Sequence, residues 1–563
     1  MPQRERWIDD CIAFLDRATS LPDRLGGLHS NDSPSIPPTL HPPAVAQWSL
    51  QGMAKWWVQR GPMWSEFLRR ESSRGDHPAT PPAWLKRLVE WSGPAIAASA
   101  TAREESDETK SWLEFWSGLR RWTQLAGWET LEGQMLHLVA ARRDSLAIQW
   151  LAGELKESPC QSSRVAAIGL QPLMAPLPWP ASKFFELLGS SFLEPAQTVA
   201  LIEVANQQVR LNSSSLHPLT PHRETLRRLL GQMVGRLGVM EQDPGHYGQS
   251  IEAIQTMLEE SVALVVALCD LVALMRDEEA VGKLRQAMAL RHRRIQVEAA
   301  SALSRLGQAE GTAHLAAMAK EPTERMRVIA YATRDGGLEA IDPEYRTPEA
   351  EAESLMALWL AARPNLGMPP EHLEVIFSDQ LFWPGYQEPQ RCFLVYFRHA
   401  IPGGLIQNVG IVGPAVHCLP NSLIGLDAVD QLAAYAGWHV SHPEIWDRPW
   451  SEASPDLRPD LQQLLDQLEL LPADRIDPQW VGSLLGTLSL AARWSTGDRQ
   501  GIVATDGEIL WSVPIQPAPQ DRTQSIDPQT ALWILRGRTL LGQFNPDFPV
   551  GSSSHATPIA SSS

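Results

Sequence analysis

Hydrophobic positions in the middle of the chain recur with helical spacing, and the spacing itself recurs. From Ala280 the run AVGKLRQAMA places apolar residues three and four apart, and RIQVEAASALSRLG from Arg294 does the same and ends at Gly307. HLAAMAK from His314 and ERMRVIAYATRDGG from Glu324 then restart the pattern, again stopped by glycine. Leu264, Ile295 and Met326 align at 31-residue intervals, as do Val266, Val297 and Val328; Leu284 with Leu315 and Arg294 with Arg325 share the offset. An apolar stripe needs a neighbour to cover it, so a repeat of this length predicts helical hairpins stacked into an array. One unit earlier, SVALVVALCDLVALM from Ser261 reads as another second helix, whose greater apolarity predicts deeper burial.

Towards the N-terminus, Trp112, Phe115, Trp116, Leu119 and Trp122 fall at three- and four-residue spacing, which predicts a helix with one buried aromatic face, starting near Asp107. Before it, SPSIPPTLHPP from Ser33 and SSRGDHPATPP from Ser72 carry prolines that no helix interior accepts and read as linkers. Near Pro364 the period changes. RCFLVYFRHAI from Arg391 and LIQNVGIVGPAVHCL from Leu405, joined through Pro402-Gly403-Gly404, predict a strand pair. GIVAT from Gly501 and EILWSV from Glu508 flank Asp506-Gly507, a pair suited to a type I′ hairpin. LWILRGRTLLGQF from Leu532 reads as further strands, whereas VDQLAAYAGW from Val429 and PDLQQLLDQLELL from Pro459 read as helices.

Tryptophan usage marks the same zones: none of the 22 lies between Trp179 and Trp359. The expected organisation is a Trp-rich helical region with linkers (1–110), a helical array (111–345, clearest over 260–337), a smaller α+β module (364–550) and a disordered tail (551–563).

The repeated segments resemble the HEAT repeat family, including the HEAT-like repeats of the phycobilisome lyase class. That family's second helix carries an apolar residue, an arginine and an alanine-rich run, matched here by Met326, Arg327 and Ala330. Ile295 matches in the preceding unit, with Gln296 in the arginine place; Val265 stands there in the earliest unit, and no aspartate occurs in the turn from Arg291 to Arg293. The resemblance implies a mainly α fold, a HEAT-type α-solenoid, and a scaffold or adaptor that binds a protein partner.

Composition limits the alternatives. With 65 acidic against 48 basic residues the formal charge is −17, which argues against wrapping nucleic acid by bulk electrostatics. The five cysteines are odd in number and far apart, so neither a disulfide framework nor a CxxC zinc pair is read. MPQRERWIDDCIAF lacks the apolar core of a signal peptide, and Val262–Met275 is interrupted by Asp270 and too short to span a bilayer. A reducing, cytoplasmic setting without membrane contact is the expectation.

One stretch runs against the overall charge. Between Ala280 and Arg334 ten Lys or Arg face four Glu, and Arg291, Arg293 and Arg294 at one turn, followed by Arg327 one unit on, are the expected interaction surface. A solvated face neutralised by acidic zones of the same chain is the plainer reading; a ridge for a phosphate backbone is the alternative function.

Chemistry is sparse. His417, Cys418, His439 and His442, with His399 and Cys392 nearby, combine imidazole and thiol in the way zinc prefers. The HxxH pair lacks the glutamate of HExxH, and Pro443 places it in a turn, so histidines of a loop are the simpler account and no cofactor is expected. Ser422 lacks the glycine of a nucleophile elbow, and Gly231, Gly235 and Gly238 lie in a helical context unlike a phosphate loop. The reading leans away from an enzyme; a lyase-like or metal-dependent activity in the C-terminal module is the remaining alternative.

Overall fold

The structure is a computed structural model that describes residues 107–211, 216–243, 250–363, 369–401, 404–515, 526–550 and 556–558. The two proline-rich linkers, and with them the first zone up to residue 106, lie outside the described residues, as does the turn at Pro402-Gly403. The described chain is mainly helical, with sheets confined to its C-terminal part, and contacts divide it into two units between Gly311 and Thr312.

The first unit holds α1 (Asp107–Leu125), α2 (Glu129–Arg142), α3 (Ser145–Glu157), α4 (Ser163–Leu170), α5 (Ala181–Leu188), α6 (Pro195–Leu211), α7 (Arg223–Gln242), α8 (Ile251–Leu274), α9 (Val281–Met288) and α10 (Arg293–Arg305). Packing alternates. α2 lies against α4, α4 against α6, α6 against α8 and α8 against α10, while α3 meets α5 and α7 meets α9 in a second layer. One core runs through both layers, from Leu136 to Leu303. In α1, Trp116 and Leu119 are fully buried and Trp122 meets Trp128 edge to face at 5.1 Å, so that part of the aromatic stripe is core; the side chains of Trp112 and Phe115 lie outside the described residues. Also in α1, Arg120 is buried between Glu132 (3.0 Å) and Glu154 (3.2 Å), tying α1 to α2 and α3.

The repeat length is not constant. Arg276, Gly307 and Gly336 end successive second helices in the left-handed region (φ 51°, 76° and 77°). The interval is 31 residues from 276 to 307 but 29 from 307 to 336. The 31-residue register pairs buried Leu268 with Ala299 and Val272 with Leu303, whereas beyond α10 an offset of 29 pairs Ala299 with Val328 and Leu303 with Ala332. The alignment of Met326 with Ile295 is therefore displaced by two residues, because the connections in the later hairpin are shorter.

The second unit continues from the end of α11 (Ala309–Met318), which spans the division, through α12 (Pro322–Asp335) and α13 (Pro348–Ala361). Arg325, 4% exposed, holds these two together: it donates to the carbonyls of Ala319 (2.9 Å) and Ala350 (2.6 Å) and pairs with Glu353 at 3.0 Å. Met356 and Leu360 of α13 then pack on Phe393, Val395 and Phe397 of an antiparallel sheet ordered β1-β2-β3, formed by β1 (His372–Phe382), β2 (Pro389–Ile401) and β3 (Gly404–Val412). After α14 (Ala428–His439) and β4 (Ile445–Pro449) come α15 (Arg458–Glu469), β5 (Arg475–Leu484), β6 (Thr487–Thr496), β7 (Arg499–Thr505), β8 (Ile509–Ile515), α16 (Pro528–Phe544) and β9 (Ala556–Pro558). The six strands β4 to β9 form one antiparallel meander in sequence order.

Three expectations need correction here. LWILRGRTLLGQF is not strand but the body of α16: Asp527 caps it by accepting from the Thr530 amide at 2.8 Å, Pro528 opens it, and it is buried on nearly every side. An apolar run without a periodic polar face carries no signal to separate a buried helix from strands. The Asp506-Gly507 turn joins β7 and β8 as expected, but only Gly507 has positive φ (93°), and Asp506 accepts from the Glu508 and Ile509 amides, so the loop is longer than a type I′ turn. Within the tail expected to be disordered, Ala556–Pro558 form a strand that pairs with Ile509–Trp511 along the outer edge of β8.

The two central helices of this unit approach closely. A methyl group on Gly437 of α14 would run into the carbonyl of Trp533, and one on Gly537 of α16 into that of Ala433, so the absence of Cβ at both places sets the spacing. Next to this contact Arg538 and Asp430, both fully buried, pair at 2.6 Å, and Trp511 donates to the other carboxylate oxygen at 3.0 Å.

Candidate functional site

The apolarity of α8 does more than fill the core. One face, Val265, Leu268, Cys269 and Val272, is buried. A second face, Gln255, Leu258, Glu259, Val262, Ala263 and Val266, repeats at the three- and four-residue spacing of a single helix side, and it stays partly open. These residues floor a groove of about 500 Å³ whose walls are Glu203 of α6 and His292 and Arg294 at the start of α10. Here the expectation of deeper burial is only half met: part of that apolar surface faces solvent.

Charges at the groove are arranged in pairs. Arg294 meets Glu298 of its own helix at 2.8 Å. Past the end of the apolar floor, Asp270 of α8 bridges Arg210 of α6 (2.6 Å) and Arg305 of α10 (2.9 Å), so one carboxylate ties three adjacent helices together. Glu203 keeps contact with solvent, yet the surrounding walls push its carboxyl above the ordinary range, opposed by Arg210 and Arg294. His292 is shifted down by burial and is neutral at pH 7.

Of the arginines expected to form the interaction surface, Arg291 and Arg293 are exposed and Arg294 half-buried at the turn before and the start of α10. The backbone N–H of Arg291 donates to Glu241 at 2.7 Å. Arg327 belongs to α12 in the second unit and pairs with Glu324 at 2.5 Å. The local excess of cations in the sequence is partly compensated in space, by Glu298 and Glu324 from within the window and by Asp270 from outside it.

The four residues considered as zinc ligands do not converge. Among the described residues no three His, Cys, Asp or Glu side chains form a group able to hold a metal ion. His417 stacks on Trp438 with ring centres 3.9 Å apart and meets the edge of Trp359, over whose face lies the Arg363 guanidinium. Burial, Arg363 and His439 all depress the His417 pKa. His439 accepts at Nδ1 from the Trp383 indole (3.3 Å), and its pKa too is lowered by burial. The Cys418 thiol is pushed up to about 12 by burial and donates to the Leu419 carbonyl, so it is no thiolate at neutral pH. His442 accepts from the Glu444 amide in its own loop. His399 is buried in β2 and Cys392 donates to the Gln390 carbonyl. This is an aromatic cluster with two neutral imidazoles in it.

The groove residues Glu203, Leu258, Val262 and Val266 were not singled out from the sequence. Their signal was present: the run from Gln255 to Val266 carries a second apolar stripe beside the one that makes the core.

Comparison with protein-family models, with curated proteins and with solved structures returns no match to the chain.

Proposed function

We propose that the chain is a non-catalytic scaffold of the HEAT type, a solenoid of helical hairpins whose inner row holds a protein partner. The observation that supports this reading most directly is the groove on α8. A half-open floor of Leu258, Val262 and Val266 between walls bearing Glu203 and Arg294 is the surface that an amphipathic helical segment fits, with apolar anchors below and charges on each flank to set its direction. The alternation of layers in the first unit provides the rigid platform. The local pairing of Arg294 and Arg327 favours a protein over a phosphate backbone, whose binding draws on many uncompensated cations.

The test is capture from native lysate, with and without nuclease treatment, by the full chain, by a Leu258→Asp, Val262→Asp variant and by Arg294→Glu, with bound proteins quantified by mass spectrometry and helical content checked by circular dichroism. The expected result is one protein retained by the wild type and lost from both variants. Retention that disappears on nuclease treatment would transfer the function to nucleic acid, and retention equal in all three forms would overturn the groove as the site.

A further inference from the structure

We propose a second binding surface, on the outer edge of β1, that takes an extended, basic peptide segment of another protein as an added strand. β1 ends the three-stranded sheet, and among the described residues no strand pairs with its outer side. At one end the edge is already met by a side chain that mimics a strand. The side-chain amide of Asn545 donates to the carbonyl of Phe382 at 3.0 Å and accepts from its N–H at 2.9 Å, reproducing the two bonds that a neighbouring strand would make. The alternation of a strand places Gln380 and Ser378 on the same outward edge as Phe382. The Gln380 N–H is held only by the adjacent Asp379 carboxylate, at 2.7 Å, a contact that a strand carbonyl would replace while freeing the carboxylate.

Alongside this edge runs a groove of about 600 Å³ between β1 and the segment that follows α16. Phe377, Phe382, Phe544 and Phe548 give it an aromatic lining, and Phe382 and Phe544 are 43% and 52% exposed. Asp379 and Asp547 are its charged groups; no lysine, arginine or histidine lines it, and neither aspartate has a cationic partner among the described residues. This charge pattern selects the occupant: a strand whose groove-facing side chains, two residues apart, include both an aromatic or aliphatic residue to meet Phe377 and a lysine or arginine to meet the aspartates. A β-bulge between Val375 and Phe377 breaks the regular edge there, so pairing is confined to Phe377–Gln380 and the peptide is short.

Fluorescence anisotropy of the full chain with a library of nine-residue peptides, in which the positions of one strand face carry both apolar residues and Lys or Arg, tests this. The expected result is saturable binding that falls at least tenfold in three cases: when the peptide backbone is N-methylated at alternate residues, when glutamate replaces the basic positions, and in an Asp547→Lys variant, which leaves the strand untouched. Gln380→Pro, which removes an outward N–H at an edge that tolerates proline, should do the same with unchanged circular dichroism. No saturable binder, or binding indifferent to both backbone methylation and Asp547→Lys, would overturn the proposal. So would sedimentation as a dimer abolished by Gln380→Pro, which would make a second copy of the chain the occupant.

Discussion

His217 gives the first unit a pH dependence whose sign and size follow from its hydrogen bonds. The ring lies buried, 3% exposed, in the connection between α6 and α7. Its Nδ1 accepts from the Leu219 amide at 3.1 Å, which fixes the proton on Nε2, and Nε2 donates to Asn206 Oδ1 at 3.1 Å. Asn206 passes the chain on, donating from Nδ2 to the Ala267 carbonyl of α8 at 3.2 Å. A second proton on the ring would convert Nδ1 from acceptor to donor and set two N–H groups against each other. Burial lowers the His217 pKa from 6.5 to about 4, with Asp270 a weaker opposing influence. Because the folded value lies below the unfolded one, the unfolded chain takes up the proton first as pH falls. The stability contributed by the neutral ring is complete above about pH 6.5, declines between there and pH 4, and is constant below.

For a single site with those two values, the loss relative to a non-titrating residue is about 2 kcal/mol at pH 5 and about 3 kcal/mol at pH 4. His217→Gln, which keeps one donor and one acceptor but does not titrate, is the reference. Urea unfolding of both proteins at pH 7.5 and pH 5.0, followed by hydrogen exchange of peptides from α6 and α8, isolates the effect from the carboxylates that titrate in both. The wild type should lose about 2 kcal/mol more than the variant across that interval. Equal losses would refute the reasoning, since the ring would then carry its proton in the fold, and a smaller loss in the wild type would mean that Asp270 outweighs burial.

Other consequences are as direct. Gly537→Ala should cost about 3 kcal/mol by forcing α14 and α16 apart, measured by thermal unfolding of the second unit; Gly153→Ala, a helical glycine with nothing within 4 Å, should be neutral or stabilising by up to about 1 kcal/mol. Arg538→Met strands Asp430 and should cost about 3 to 5 kcal/mol at pH 7.5. That carboxyl, already raised by burial, then protonates in the fold before it does in the unfolded chain, so the deficit should shrink as pH falls, which unfolding at pH 5 and 7.5 would reveal. Cys160, Cys392 and Cys418, each pushed up to about 12, should escape iodoacetamide at pH 8 in the native protein under conditions that label the urea-unfolded chain fully, as peptide mapping would show.

How far the fold was readable depended on whether a segment has two unlike faces. α15 sets buried Leu461, Leu464 and Leu468 among exposed Gln462, Gln463, Asp466 and Glu469, and its period announces a helix; the hairpin of β2 and β3 is announced by β-branched and aromatic residues around Pro402-Gly403. α16 has no such contrast. It is enclosed by α14 and by β5, β6 and β7, so Leu532, Ile534, Leu535 and Leu541 are all buried, and the positions that identify it as a helix, Asp527 and Gly537, act through a cap and a close contact that no periodicity displays.

The same reasoning explains why the arginines were legible and the groove was not. Charge density along the chain is visible in one dimension, but its compensation is not: Asp270 lies 35 residues from Arg305 in sequence and 2.9 Å from it in space. Conversely α8 is apolar on two faces, and a sequence reading assigns all of that to the core because burial is the commonest use of an apolar residue. Only the position of α6 and α10 on either side decides which of its valines are covered. Val265 is fully buried and Val262 and Val266 are not, although all three valines lie within little more than one turn of the same helix. A helix that keeps valine and leucine on its open side gives up solubility there without gaining core, and on the scaffold function proposed above that open side is where a partner would supply the missing cover.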